Sequence, residues 1–279
     1  MKKVGLHVRF ERTLTELIKK AVRLELPFFQ CFLTQRKTGK VFRFEEKDIL
    51  AFLSMRRIYF EDLYLHASYL INLAQPERFR HPILNKEVDL AKRLEFSRIV
   101  LHPGAVRSID EKKAGIESIA RMLNYFCKKE KDIQFLLENT AFGQRAIGSD
   151  IEDFFQILEF LDKPETIGFC IDTVHAHVAG YDLISTKGYE QFIDVLQKKI
   201  GFDQIKLIHL NETREMRGSY LDVHCCVGDA CAALGESALK RLLYDARLEH
   251  IPLLCEFPHV AEQEEERVLS RINRWLQKK

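Results

Sequence analysis

The stretch from residue 168 to residue 182 reads GFCIDTVHAHVAGYD. Its first part, GFCIDT (168–173), is almost unbroken in apolar residues until a carboxylate, Asp172, closes it. That is the mark of a strand buried on both faces, as in a parallel sheet. Its second part adds two imidazoles, His175 and His177, within five residues of the carboxylate. A strand ending in a carboxylate followed by histidines fits a metal site. It fits equally an ordinary strand end whose polar groups are hydrogen-bonded, and the stretch alone leaves both readings open.

Working outward, the same design recurs. VGLHV (4–8), FFQCFL (28–33), LYLHAS (63–68), RIVLHP (98–103), QFLLEN (134–139), KLIHLN (206–211) and PLLCEF (252–257) are further short apolar runs. Amphipathic segments lie between them. ERTLTELIKKAVRLE carries Leu14, Leu17, Ile18 and Val22 at helical spacing. IEDFFQILEFLDK follows Ser149 and Asp150, a candidate N-cap pair, and Val268, Ile272 and Trp275 line one stripe near the C-terminus. Eight strands, each followed by a helix or long connection, predict a single (β/α)8 TIM barrel over residues 1–279, with its site at the C-terminal ends of the strands. The rival, an open doubly wound sheet, usually opens on a Gly-rich phosphate loop, and none is visible.

Bulk properties narrow the function classes. The 279 residues are 46% hydrophobic and 30% charged, as in a globular protein with a sizeable core. Net charge is only +2, so bulk charge predicts no polyanion partner, although local basic patches remain compatible with it. Seven Cys without a CxxC pair read as reduced thiols. The start, MKKVGLHVRFERT, lacks the apolar stretch of a signal peptide, and no run approaches a membrane helix. The expected setting is cytoplasmic, at the nucleoid in a bacterium, with no membrane partner.

Six of the eight strands end in a strong metal-ligand type: His66, His102, Glu138, Asp172, His209 and Glu256. In a barrel these ends converge on one face. A mouth so rich in carboxylates repels itself unless cations bind there. Mixed imidazole and carboxylate ligands favour zinc, with manganese or iron as rivals. His175, and the Asp222-Val-His224 pair in the connection after the seventh strand, offer a further site. Cys225, Cys226 and Cys231 in HCCVGDAC are a weaker candidate for a thiolate zinc site, because structural sites usually show spaced Cys pairs.

The segments HASYLINLA (66–74), LHPG (101–104), LLENTA (136–141), CIDTVHAHVAGYD (170–182), HLNET (209–213) and LDVH (221–224) together resemble the endonuclease IV family of apurinic/apyrimidinic endonucleases. They recur in order along nearly the whole chain. The resemblance implies a xylose-isomerase-like barrel holding three zinc ions. It makes Glu138 the bridge between two of them and the catalytic residue that orients or deprotonates water. It gives His66 and His102 to the first ion, Asp172, His209 and Glu256 to the second, and His175, Asp222 and His224 to the third. The implied reaction is hydrolysis of the phosphodiester 5′ to an abasic site in double-stranded DNA, leaving a 3′-hydroxyl, together with removal of 3′ blocking groups. A monomer is expected.

For DNA contact, Arg36, Tyr69 and Leu70 match the family's insertion positions, and an apolar wedge can replace a lost base stack. Arg107, Arg145, Arg214 and Arg217, on connections leaving strand ends, are expected to meet phosphates. The plain alternatives are a solvated charged rim and packing. Three departures stand out. His7-Val8 is followed by bulky, charged Arg-Phe-Glu-Arg where small residues are usual. The family's Gly-Gln-Gly after ENTA is here Phe142-Gly-Gln-Arg145. Cys226 stands where a second His is usual.

Two other readings compete. A sugar isomerase or epimerase on the same fold needs only four ligands and gives the His175, Asp222 and His224 group no task. A metal-stabilised DNA-binding module without catalysis has no need to keep all nine.

Overall fold

The computed structural model describes residues 2–35, 37–75 and 81–277. Its centre is a closed, all-parallel barrel in the order β1 to β8, with β1 pairing both β2 and β8. The strands are β1 (Val4–His7), β2 (Phe29–Cys31), β3 (Tyr64–His66), β4 (Arg98–Leu101), β5 (Gln134–Glu138), β6 (Gly168–Asp172), β7 (Ile205–His209) and β8 (Leu253–Cys255). Around it lie α1 (Leu14–Arg23), α2 (Glu46–Tyr59), α3 (Pro82–Arg93), α4 (Lys112–Lys129), α5 (Glu152–Glu159), α6 (Thr173–Ala179), α7 (Thr186–Lys199), α8 (Gly235–Tyr244) and α9 (Glu262–Gln277). All eight anticipated strands are present, each no longer than its apolar run.

The apolar runs satisfy two surfaces at once. One set of residues, with Phe29, Ile99, Phe135 and Phe169, packs outward under the helices. The other set fills the barrel: Phe28, Tyr64, Val100, Leu136, Cys170, Leu207 and Leu254 form one buried cluster, drawn from β2 through β8 and their edges. Gly5 completes this floor on β1, where a Cβ would meet the Phe28 ring at 2.5 Å. Side chains on a strand share a face every second residue. Two positions beyond the floor therefore come His7, Gln30, His66, His102, Glu138, Asp172, His209 and Glu256, one from each strand or the residue just past its end. The fold lays a fully polar layer directly on an apolar floor.

The connections at that end are fastened locally. Thr13 caps α1 by accepting from the Glu16 amide at 3.1 Å. The charged loop before it is anchored by Phe10, whose ring lies 4.7 Å from Phe42 and 5.4 Å from Phe44. The start of α5 differs from the sequence expectation. Asp150 accepts from the Glu152 amide at 3.0 Å, but Ser149 turns its hydroxyl to the Gly143 carbonyl at 3.2 Å instead. The backbone there has already entered helical geometry at Ile151, which leaves Ser149 outside the cap.

Candidate metal centre

Glu138 ends β5 at the centre of the polar layer and is fully buried. Its Oε2 lies 3.0 Å from His66 Nε2 and 3.1 Å from His102 Nε2. Its Oε1 lies 2.8 Å from His209 Nδ1. One carboxylate thus offers one oxygen to each of two neighbouring groups. His66, His102 and Glu138 bring one ligand atom each within 4.8 Å of one another, and so do Glu138, Asp172, His209 and Glu256. Cys170 also reaches Glu138 and His209. Burial pushes its thiol up to about 12, which keeps it protonated and a poor ligand.

A third group sits to one side. Asp222 Oδ1 is 3.2 Å from His175 Nε2 and 3.1 Å from His224 Nε2. Neither ring nitrogen, though shielded from solvent, makes a well-aligned hydrogen bond. Three lone pairs converging without N–H···O geometry suit a cation better than a proton. Asp172 ties the groups together. Its Oδ1 caps α6 by accepting from the His175 amide at 2.8 Å, and its Oδ2 lies 3.7 Å from His209 Nδ1 and 4.0 Å from His224 Nε2.

The other nitrogen of each buried ring is occupied, which fixes the tautomer. His66 donates from Nδ1 to the Ala67 carbonyl at 2.8 Å, and His175 does so to the Asn139 carbonyl at 2.8 Å. His209 donates from Nε2 to Gln30 Oε1 at 3.1 Å. Each ring thereby aims its free nitrogen at the carboxylates. Electrostatics agree with that convergence. Burial would push Glu138 up, but the imidazoles of His209 and His102 outweigh it and hold the carboxyl well below its usual range. Burial would lower His175, but Asp172 and Asp222 outweigh it and raise the ring well above its usual range. Protons and a dication compete for these lone pairs, so the donor set fits bound metal.

Several supporting residues gave no signal in the sequence beyond being polar in or beside an apolar strand. Gln30 donates from its amide to Glu256 Oε1 at 2.7 Å and lies 3.0 Å from His7 Nδ1. Asn211 donates to Glu256 Oε2 at 3.2 Å and to Asp172 Oδ2, and accepts from the Glu256 amide at 2.7 Å. Asn139 accepts from the Asp172 amide at 2.6 Å.

The expected DNA-contacting residues divide. Tyr69 and Leu70 are about two-fifths exposed on the connection after β3, with the Tyr69 ring 5.3 Å from both His66 and His102. Arg107, Arg145 and Arg217 are exposed on the same end of the barrel. Arg145 donates to the Arg107 carbonyl at 3.3 Å, and Arg217 lies 3.3 Å from Asp182. Arg214 is held in a two-pronged ion pair by Asp229. Arg36 lies outside the described residues. Cys225, Cys226 and Cys231 are free thiols and form no ligand group among the described residues. His177 is buried on α6 and belongs to none of these groups either.

The family model for xylose isomerase-like TIM barrels matches residues 18–279. A probable endonuclease 4 from Thermosipho melanesiensis is 31% identical over 265 residues, covering 92% of this chain and 93% of that one. The chain belongs to the endonuclease 4 family. It is therefore an enzyme of the hydrolase class. The crystal structure of endonuclease IV from Thermus thermophilus superposes with a TM-score of 0.79 at 25% identity, over 99% of this chain and 100% of that one. A xylose isomerase domain protein from Salmonella typhimurium reaches a TM-score of 0.66 at 15% identity, a likeness of fold alone. No helix among the described residues is long and apolar enough to cross a membrane.

Proposed function

We propose that this protein is a zinc-dependent repair endonuclease. It hydrolyses the phosphodiester 5′ to an abasic site in double-stranded DNA, leaves a 3′-hydroxyl and also clears 3′ blocking groups. The observation that carries this reading is the split of Glu138 between two imidazole groups. His66, His102 and Glu138 would hold one ion, and Glu138, Asp172, His209 and Glu256 a second. His175, Asp222 and His224 would hold a third, with manganese or iron as substitutes at some sites. When bound, the ions would supply Lewis acidity, making water nucleophilic at neutral pH and offsetting charge on the phosphate and the departing oxygen.

This chain's own residues would do the rest. Without cations the four carboxylates Glu138, Asp172, Asp222 and Glu256 would repel a phosphodiester; three dications more than offset them. Glu138 would orient or deprotonate the attacking water, so no free side-chain base is needed. Tyr69 and Leu70 would enter the duplex at the lesion, together with Arg36. Arg107, Arg145 and Arg217 would meet phosphates, which makes binding salt-dependent. We assign residues 1–279 to one domain, acting as a monomer in the cytoplasm. The third ligand group has no task in a sugar isomerase, which favours the nuclease.

The test is a duplex carrying one abasic analogue, incubated with and without a chelator. Incision 5′ to the analogue, lost on chelation and restored by zinc, is expected. Binding without incision would support a non-catalytic module, and neither binding nor incision would overturn the reading.

A further inference from the structure

Phe142 is 54% exposed at the tip of the connection after β5, four residues beyond Glu138. A large apolar ring left in water is unfavourable unless something covers it in use. Its position is fixed rather than loose. On its own connection the Thr140 amide donates to the Gly148 carbonyl at 3.0 Å, and the Ala146 amide to the Gly143 carbonyl at 3.0 Å. Across to the connection after β4, Val106 donates to the Arg145 carbonyl at 3.0 Å and Ile147 to the Gly104 carbonyl at 2.9 Å. Ala141, just before the ring, is fully buried and anchors the turn.

The surroundings say what the ring faces. Its centroid lies 6.1 Å from His102, a member of the first ligand group, and His102 is also bordered by Tyr69 at 5.3 Å. Two exposed aromatic rings therefore border one ligand at the mouth. Next to Phe142, the position of a Cβ on Gly143 has nothing within 4 Å, so the space beside the ring is open. Exposed Arg145 lies on the same connection as Phe142 and donates to the carbonyl of exposed Arg107 on the neighbouring one at 3.3 Å. Aromatic rings interleaved with cations over a groove are the chemistry of single-stranded or unstacked nucleic acid. An abasic site leaves its neighbouring bases with an uncovered face.

We infer that Phe142 is a DNA-binding residue that stacks on the base face left uncovered beside the abasic nucleotide. This rests on the proposed function and goes beyond it. Phe142 stands in the segment where the family pattern has glycines, so the contact belongs to this chain's departure from that pattern. A π-face accepts any base, so the contact would favour the lesion without adding sequence preference.

The experiment compares the full zinc-loaded chain with Phe142→Ala and Phe142→Trp. Dissociation constants are measured for a duplex with one tetrahydrofuran abasic analogue and for the same duplex undamaged, alongside zinc content. For Phe142→Ala the expected result is about tenfold weaker binding to the abasic duplex, near-unchanged binding to the undamaged one and unchanged zinc, with Phe142→Trp restoring affinity. Phe142→Ala within twofold of wild type on the abasic duplex would overturn the inference, as would an equal loss on both duplexes. If wild type incises the abasic duplex while the alanine variant binds it equally well, only this inference fails. If wild type neither binds nor incises, the proposed function fails with it.

Discussion

The candidate ligands borne on strand ends and those borne on connections are built differently. His66, Glu138, Asp172 and His209 close their strands with side chains at most 1% exposed, seated on an apolar floor; His66 donates to the Ala67 carbonyl and His209 to Gln30, while Asp172 accepts from Asn211. His175, Asp222 and His224 come from a short helix and a long connection, and the last two side chains are 17–20% exposed. Strand ends give precision because the barrel's register sets them. Connections give reach, because their residues can stand between the barrel and a ligand too large to enter it. For a macromolecular substrate, the first region would do chemistry and the second would meet the chain being cut.

The largest effect expected from breaking this contrast is at Glu138. Glu138→Gln keeps shape but weakens the bridge, so cleavage should fall by on the order of a thousandfold or more while far-UV circular dichroism is unchanged. Substantial remaining activity would remove Glu138 from its assigned role. Next, His209→Ala and His224→Ala should lose different ions, which anomalous scattering from zinc-loaded crystals distinguishes. Identical losses would merge the two regions into one site.

Smaller effects test what holds the strand-end layer. Gln30 joins His209, Glu256 and His7. Gln30→Leu should weaken zinc affinity or turnover by about 10–100-fold with the fold retained, as read by chelator titration. A value within twofold of wild type would make Gln30 mere packing.

The smallest concerns Glu87, fully buried on α3, which accepts from the Ser68 amide at 3.0 and 3.2 Å behind the Tyr69–Leu70 connection. Burial pushes its carboxyl from 4.5 to about 7, against opposing hydrogen bonds from Thr34 and Ser68. The folded chain thus holds the extra proton between those values. Stability from this group is present below about pH 4.5 and is lost as pH rises through about 7. In zinc-free protein, Glu87→Gln should flatten that slope, by at most roughly 3 kcal/mol in denaturant unfolding. Parallel pH profiles would contradict the assignment.

The barrel was legible because each strand is apolar on both faces and each run stands apart from the next. The candidate ligands at the strand ends were legible because an ionisable residue closing such a run is conspicuous. His7 and Gln30 were not, because one polar residue inside VGLHV or FFQCFL looks like filler. Only the register shows that they share a layer with Glu138. The assignment of His175 to one group with Asp222 and His224 rests on the family resemblance, since nothing local links residues so far apart in sequence. The ion pair between Arg214 and Asp229 was likewise invisible, and a sequence that places a cation at the mouth does not say whether it is already matched.

In the proposed site Glu138 would serve two cations while a separate group would hold a third. Anomalous X-ray scattering at the zinc edge, from crystals of the zinc-loaded wild type, tests it most directly. Three peaks are expected, two of them sharing the Glu138 carboxylate and one among His175, Asp222 and His224. A single peak, or a Glu138 carboxylate that touches only one ion, would contradict it.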